Sequence, residues 1–144
     1  MLDLDIMYRG TVYPWHCDHM GHMNVMWYVG KFDEATWQMF SRIGLTPSYL
    51  REQGRGMVAV EQRIAYRREL HAGDVVVVRT GVLEVRAKTI RFFHRMENAA
   101  TGEVSAITVI TGVHIDTTAR RAVALPDEQL AAAEKMITDD DPGI

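Results

Sequence analysis

A chain of 144 residues, 47% of them hydrophobic, has the size and apolar content of one domain built around one core. Its formal net charge of −3 argues against nucleic-acid binding, which takes a basic excess to neutralise phosphates, so any anionic ligand must meet a local basic patch. The single cysteine, Cys17, excludes an internal disulfide and a multi-cysteine zinc framework and points to a reducing compartment, with the cytoplasm as the default. The opening residues lack the charged start and apolar run of an export signal. No apolar stretch approaches the roughly 18 residues of a membrane span, so neither export by that route nor membrane insertion is expected.

In chain order, residues 8–15 read as a first strand, ended by Pro14, which has no N–H to give to a ladder. Residues 15–23 follow as a loop. Asn24 is a good N-cap and Gly44 a good C-terminal stop, and the stretch 25–43 between them predicts a helix of about five turns. Its polar residues Lys31, Glu34, Gln38 and Arg42 recur at spacings of three and four, while Met26, Trp27, Tyr28, Val29, Phe32, Trp37, Met39, Phe40 and Ile43 take most of the circumference. Such a helix must be covered on more than one side. A short helix is expected over 47–53, with Thr46 as cap and Pro47 in the first turn.

After the Gly54-Arg-Gly56 break, four strands are expected at 58–67, 75–85, 89–98 and 104–116, separated by short polar or glycine-containing turns. Two of them alternate with period two and suit a sheet with unlike faces. Residues 126–136 read as a peripheral helix anchored by Leu125 and Leu130. The last seven residues, 138–144, form an acidic tail expected to fray. One strand, one long apolar helix and four further strands give an α+β order in which a curved antiparallel five-stranded sheet wraps around the helix: the hotdog fold, as a single domain over residues 1–137. One helix cannot cover five strands, so pairing into a homodimer, or a homotetramer of two such dimers, is expected.

The densest reactive cluster is Trp15-His16-Cys17-Asp18-His19-Met20-Gly21-His22-Met23-Asn24, directly before the long helix. First-turn amides of a helix lack internal partners and carry partial positive charge, so they bind anions and stabilise negative charge developing on oxygen. Asp18, six residues before the cap, can share that site in a folded-back loop. An ionised carboxylate beside a polarised thioester carbonyl can act as a nucleophile, through a mixed anhydride, or as a base that activates water.

Asp18-x-x-Gly21-His22-Met23-Asn24-x-x-x-Tyr28 resembles the Asp-x-x-Gly-His-(Val/Met)-Asn-x-x-x-Tyr signature of the 4-hydroxybenzoyl-CoA thioesterase-like branch of the hotdog superfamily. Phe32-Asp33-Glu34-Ala35 and Tyr66-x-Arg68-Glu69-Leu70-x-x-Gly73-Asp74 extend the likeness, which covers roughly residues 8 to 116. The resemblance implies an acyl-CoA thioesterase with Asp18 as catalytic carboxylate, the Val25 N–H at the helix start as oxyanion donor, and coenzyme A arriving as part of the substrate with no separate cofactor. It also implies that Arg86 and Lys88 contact the nucleotide phosphates; the other reading of this pair is a solvated hairpin tip. Gly21-His-Met-Asn-Val25, Phe32-Asp-x-Ala-Thr36, Glu61-Gln-Arg-Ile-x-Tyr66 and Arg68-Glu-Leu70 further resemble the thioesterase domain associated with carnitine and betainyl-CoA breakdown.

Several roles stay open at this stage. His22 orients Asp18, lines the acyl pocket or is structural. Trp15, Trp27 and Tyr28 shape the acyl pocket or belong to the core. Glu61, a carboxylate in an apolar strand, reaches the pocket across a subunit interface or simply faces outward. A metal site from His16, Cys17, His19 and His22 is disfavoured because Gly21 and the loop remove helical spacing. A Cys17–His pair is disfavoured because neighbours on an extended segment face opposite ways. The rival from another class is a non-catalytic hotdog protein that binds or senses acyl-CoA, and the coincidence of Asp18 with a helix tip argues against it. The acyl group itself, apolar, aromatic or cationic, is left undecided.

Overall fold

Asn24 leaves an extended segment, with φ −72° and ψ 148°, and its side chain accepts the Met26 N–H, starting helix α1 at Val25–Arg42. Gly44 ends it at φ +94°, a left-handed conformation that a side chain would strain. Tyr28, Phe32, Ala35 and Met39, spaced three and four apart, form its buried stripe. This computed structural model describes residues 4–144; residues 1–3 of the expected domain and opening segment lie outside the described residues.

The strands are β1 (Asp5–Thr11), β2 (Arg55–Tyr66), β3 (Val75–Val85), β4 (Thr89–Asn98) and β5 (Val104–Asp116), with a two-residue β6 (Arg121–Ala122). They pair antiparallel in the order β1-β3-β4-β5-β2, and β6 adds to β5. This is the hotdog arrangement, with β1 and β2 as the main sheet's edges. Helices α2 (Pro47–Gln53) and α3 (Asp127–Glu134) flank it. Between sheet and α1, Phe32, Met39, Phe92, Met96 and Ile110 meet in one core.

A buried polar relay fastens α1 to the sheet. Thr36 Oγ1 donates to Phe32 O at 3.0 Å and lies 2.8 Å from His94 Nε2, while Thr80 Oγ1 lies 2.6 Å from His94 Nδ1. The Thr36 proton is committed to Phe32, so Nε2 carries the imidazole proton and Nδ1 accepts from Thr80. His94 is fully buried, and desolvation pushes its pKa down to about 3.

Three expectations are corrected. β1 begins and ends earlier than residues 8–15, because Pro14 opens a 3-10 turn, Pro14–His16, instead of closing a strand. β2 starts at Arg55 rather than at residue 58, with Gly56 paired to Ile115. The tail does not fray: Thr138 N–H donates to Val82 O at 2.9 Å and Arg67 Nη2 donates to Gly143 O at 2.8 Å. It crosses the sheet face opposite α1, where Val77, Phe93, Ile107 and Val109 are buried outside the main core. A side chain at Gly81 would collide with Thr138 and Phe93 there. Among the described residues no helix is long and apolar enough to cross a membrane.

Candidate active site

The segment before α1 folds back on itself. Cys17 and Met23 form an antiparallel bridge, Asp18 N–H donates to His22 O at 3.2 Å, and Gly21 N–H donates to Asp18 O at 3.0 Å. Gly21 permits this turn by taking φ +88°. Two bonds seat the turn, from Met23 N–H to Leu70 O at 2.7 Å and from Asn24 N–H to His16 O at 2.9 Å. The five residues between Asp18 and Asn24 thereby fold so that the two side chains are in direct contact.

Asn24 joins the acid to the helix. Its Nδ2 donates to Asp18 Oδ2 at 2.8 Å while its Oδ1 accepts the Met26 N–H at 2.9 Å. The other carboxylate oxygen, Asp18 Oδ1, accepts the Met20 N–H at 2.8 Å. The Asn24 bond first, and the Met20 bond second, hold the Asp18 pKa below the ordinary carboxylate range, so the group is anionic at neutral pH. Trp27 N–H returns to Asn24 O at 3.0 Å. Val25 N–H is the first-turn amide with no protein acceptor among the described residues. A fixed anion and a free helix-tip donor therefore stand on either side of one asparagine, a pairing suited to a carbonyl that must be attacked and polarised together.

Two cavities open beside this tip. One, of about 200 Å³, is lined by His22, Met23, Val25, Tyr28 and Tyr66, with Arg67, Arg68 and Glu69 at its rim. There the Tyr28 ring meets Tyr66 edge-on at 5.2 Å, and Tyr28 Oη donates to Arg68 O at 3.2 Å. Burial, with Glu69 nearby, pushes the Tyr28 pKa to about 12, so this phenol stays protonated. The second cavity, about 650 Å³, lies on the β1 flank of α1 and contains Trp15 and Trp27 together with Tyr8, Tyr13, His16, Lys31 and Glu34. The aromatic candidates thus divide between two cavities, Tyr28 in the first and both tryptophans in the second.

His22 Nε2 lies 3.5 Å from Glu69 Oε1, so the Asp18 carboxylate takes its hydrogen-bonded orientation from Asn24 and Met20. Glu61 is exposed and pairs with Thr111, whereas its neighbour Gln62 bonds Thr108 on the α1 side. Glu61 therefore belongs to the opposite face and does not line either cavity of its own chain. Arg86 and Lys88 lie in the β3–β4 turn, at the far end of β3 from Val75, which pairs with Thr11 near the helix start. Ten residues of strand amount to roughly 33 Å, so these cations are remote from Asp18 within one chain. Arg86 is paired with Glu84 at 2.6 Å. Cys17 Sγ faces Tyr13 O.

Sequence reasoning missed Lys31. Its recurrence with Glu34 and Gln38 placed it on the solvent face, yet it is 4% exposed, with Nζ 3.3 Å from both Tyr8 Oη and Thr11 O. The β1 edge covers that flank of α1, and no local periodicity reports which strand will lie there.

Comparison with known proteins agrees with this fold. The family described as thioesterase-like superfamily matches residues 12–133. An L-carnitine dehydrogenase/betainyl-CoA thioesterase of Agrobacterium fabrum is 32% identical over 124 residues, covering 83% of this chain and 24% of its own. This chain therefore spans about a quarter of the length of that relative. A betainyl-CoA thioesterase of Pseudomonas aeruginosa is 25% identical over 129 residues, covering 90% of this chain and 81% of its own. Among solved structures, a Staphylococcus aureus protein in complex with CoA superposes with a TM-score of 0.86 at 20% identity, covering 98% of this chain and 91% of its own. A 1,4-dihydroxy-2-naphthoyl-CoA thioesterase from Synechocystis gives 0.80 at 19% identity, covering 90% and 95%.

Proposed function

Because the chain belongs to the thioesterase-like superfamily, we propose that it hydrolyses the thioester of a small or medium acyl-CoA at the N-terminus of α1. The single observation that carries this is the Asn24 bridge, which ties the Asp18 carboxylate to the helix tip while Val25 N–H stays free. The thioester carbonyl accepts from Val25 N–H, which polarises it and stabilises the oxyanion of the tetrahedral intermediate. In one route an Asp18 oxygen attacks the carbonyl carbon, the C–S bond breaks, CoA leaves as a thiolate that takes up a proton, and water then hydrolyses the mixed anhydride. In the other, Asp18 takes a proton from water as the water attacks, and passes it on towards the leaving sulfur. No cofactor enters either route.

The acyl group occupies the cavity of Val25, Tyr28 and His22, which adjoins the oxyanion donor. Trp15 and Trp27 fall outside this acyl site. Because the relatives of known name act on betainyl-CoA, that cationic acyl-CoA is the first substrate to test, with apolar and aromatic acyl-CoAs beside it. The working unit is a homodimer joined along β2, an edge that leaves Val58 and Val60 exposed, the latter at 62%. A two-fold axis across the strands pairs like edges antiparallel. The partner's β3–β4 turn then comes to the Asp18 end, and its cations, equivalent to Arg86 and Lys88, meet the nucleotide phosphates.

Asp18→Asn tests the mechanism, since it keeps the shape and removes the charge. Turnover of acyl-CoA, read as released thiol, is expected to fall by a factor on the order of hundreds or more. Near-normal hydrolysis would reject the role of Asp18. An absence of hydrolysis in the unaltered chain, with acyl-CoA still bound, would replace the enzyme by a binding protein.

A further inference from the structure

The cavity on the β1 flank of α1, which the proposed function leaves unused, contains a group that burial alone does not explain. Lys31 is 4% exposed, and Nζ meets only two neutral oxygens, Tyr8 Oη and Thr11 O. No ion pair is formed by Lys31 among the described residues, although Glu34 lines the same space. The Glu34 carboxylate acts on this ammonium from beyond direct pairing distance, but burial outweighs it, so a carboxylate in direct contact would be strongly favoured. A second donor stands nearby. His16 Nδ1 accepts the Tyr13 N–H at 2.9 Å, which leaves the proton of the neutral ring on Nε2, without an acceptor among the described residues.

Other groups that line the cavity have the reverse preference. Trp15 stacks on Tyr13 at 4.5 Å and 5°, and with 66% of its surface exposed it keeps one face open. Trp27 packs against His16 at 4.6 Å one turn before Lys31, and the Glu34 carboxylate lies on the same side of the helix. Aromatic faces beside a carboxylate attract an alkylammonium head. One ligand class satisfies both sets of groups. We propose that this cavity binds a small zwitterion, its carboxylate held by Lys31 and His16 and its alkylated ammonium against Trp15, Trp27 and Glu34. A thioester has no free carboxylate to offer Lys31, so the site recognises free acids over their CoA esters. An acyl group that is itself cationic becomes such a zwitterion when it is hydrolysed. That link to product binding rests on the proposed function, whereas the binding itself does not.

The test titrates glycine betaine into the full chain and follows tryptophan fluorescence. Acetate and tetramethylammonium, each supplying one half of the ligand, are titrated in parallel. Saturable binding in roughly the millimolar range is expected, with each half weaker by a factor on the order of ten. Lys31→Met should bind glycine betaine no better than tetramethylammonium, with a thermal melt to confirm that it folds. Glu34→Gln, at an exposed position, should bind several-fold more weakly and carries the test should the first variant fail to fold. Asp18→Asn should bind as the unaltered chain does, which separates this site from the catalytic reading. No saturable change, halves that bind as well as the whole, or unaltered binding by both Lys31→Met and Glu34→Gln would overturn the proposal.

Discussion

At its first turn, and again about three turns further on at Thr36, α1 gathers polar groups, and the two clusters are completed in opposite ways. Around His94 every proton has a destination: Nε2–H meets Thr36, the Thr36 hydroxyl meets Phe32 O, and Thr80 meets Nδ1. The cluster is buried, closed and neutral. Around Asp18 the geometry is as well defined, since Asn24 and Met20 fix both carboxylate oxygens, but the Val25 N–H is left over and the acid stays charged. Saturation serves to fasten the helix, because a buried polar group left unpaired costs stability. An unused donor beside a fixed anion at a half-open surface serves a substrate instead.

The largest expected effect is the loss of turnover in Asp18→Asn, with little change in melting temperature. Next is Asn24→Asp, which keeps a good cap acceptor for Met26 N–H but turns a donor to Asp18 into a like charge. Turnover should fall by roughly tenfold to a hundredfold, and the acidic limb of the pH–rate profile should move upward. A purely structural asparagine would change stability and leave that limb in place.

At the closed cluster the effects are on stability alone. Thr36→Val removes the acceptor of the His94 Nε2–H inside the core and should cost about 1–3 kcal/mol in denaturant unfolding, with kcat unaltered. Most gradual, because it is spread over several pH units, is the response of His94. Its folded pKa, about 3, lies below the ordinary imidazole value of 6.5, so between these limits the unfolded chain binds a proton that the folded chain refuses. The stabilisation is therefore complete above pH 6.5 and is lost progressively as pH falls towards 3. Unfolding midpoints that stay flat over that window would show that His94 is not held neutral.

Much of the fold could be read residue by residue. The ends of β3, β4 and β5 fall where they were expected, because turn residues such as Gly73-Asp74 and Thr101-Gly102 interrupt clear runs of strand-forming residues. Asn24 and Gly44 bracket α1 through cap chemistry that is local by nature. The errors have a common cause. Pro14 reads as the end of a strand or as the first residue of a helical turn, and only the pairing of Thr11 with Val75 decides that β1 has already finished. For Glu61 the sequence leaves an interface role and an outward-facing position both open, and the face it takes is set by β2, an edge with a bulge between Ala59 and Glu61.

The sequence by itself determined that an acid, a glycine turn and a capping asparagine precede a long apolar helix, since turns, caps and periodicity act over a few residues. Tertiary structure alone decided that Lys31 would be buried, that the two tryptophans would share its cavity while Tyr28 took another, and that Arg86 and Lys88 would sit at the far end from Asp18. Those outcomes depend on which strand lies against which flank of α1, a matter of contacts between segments distant in the chain, which no local spacing encodes.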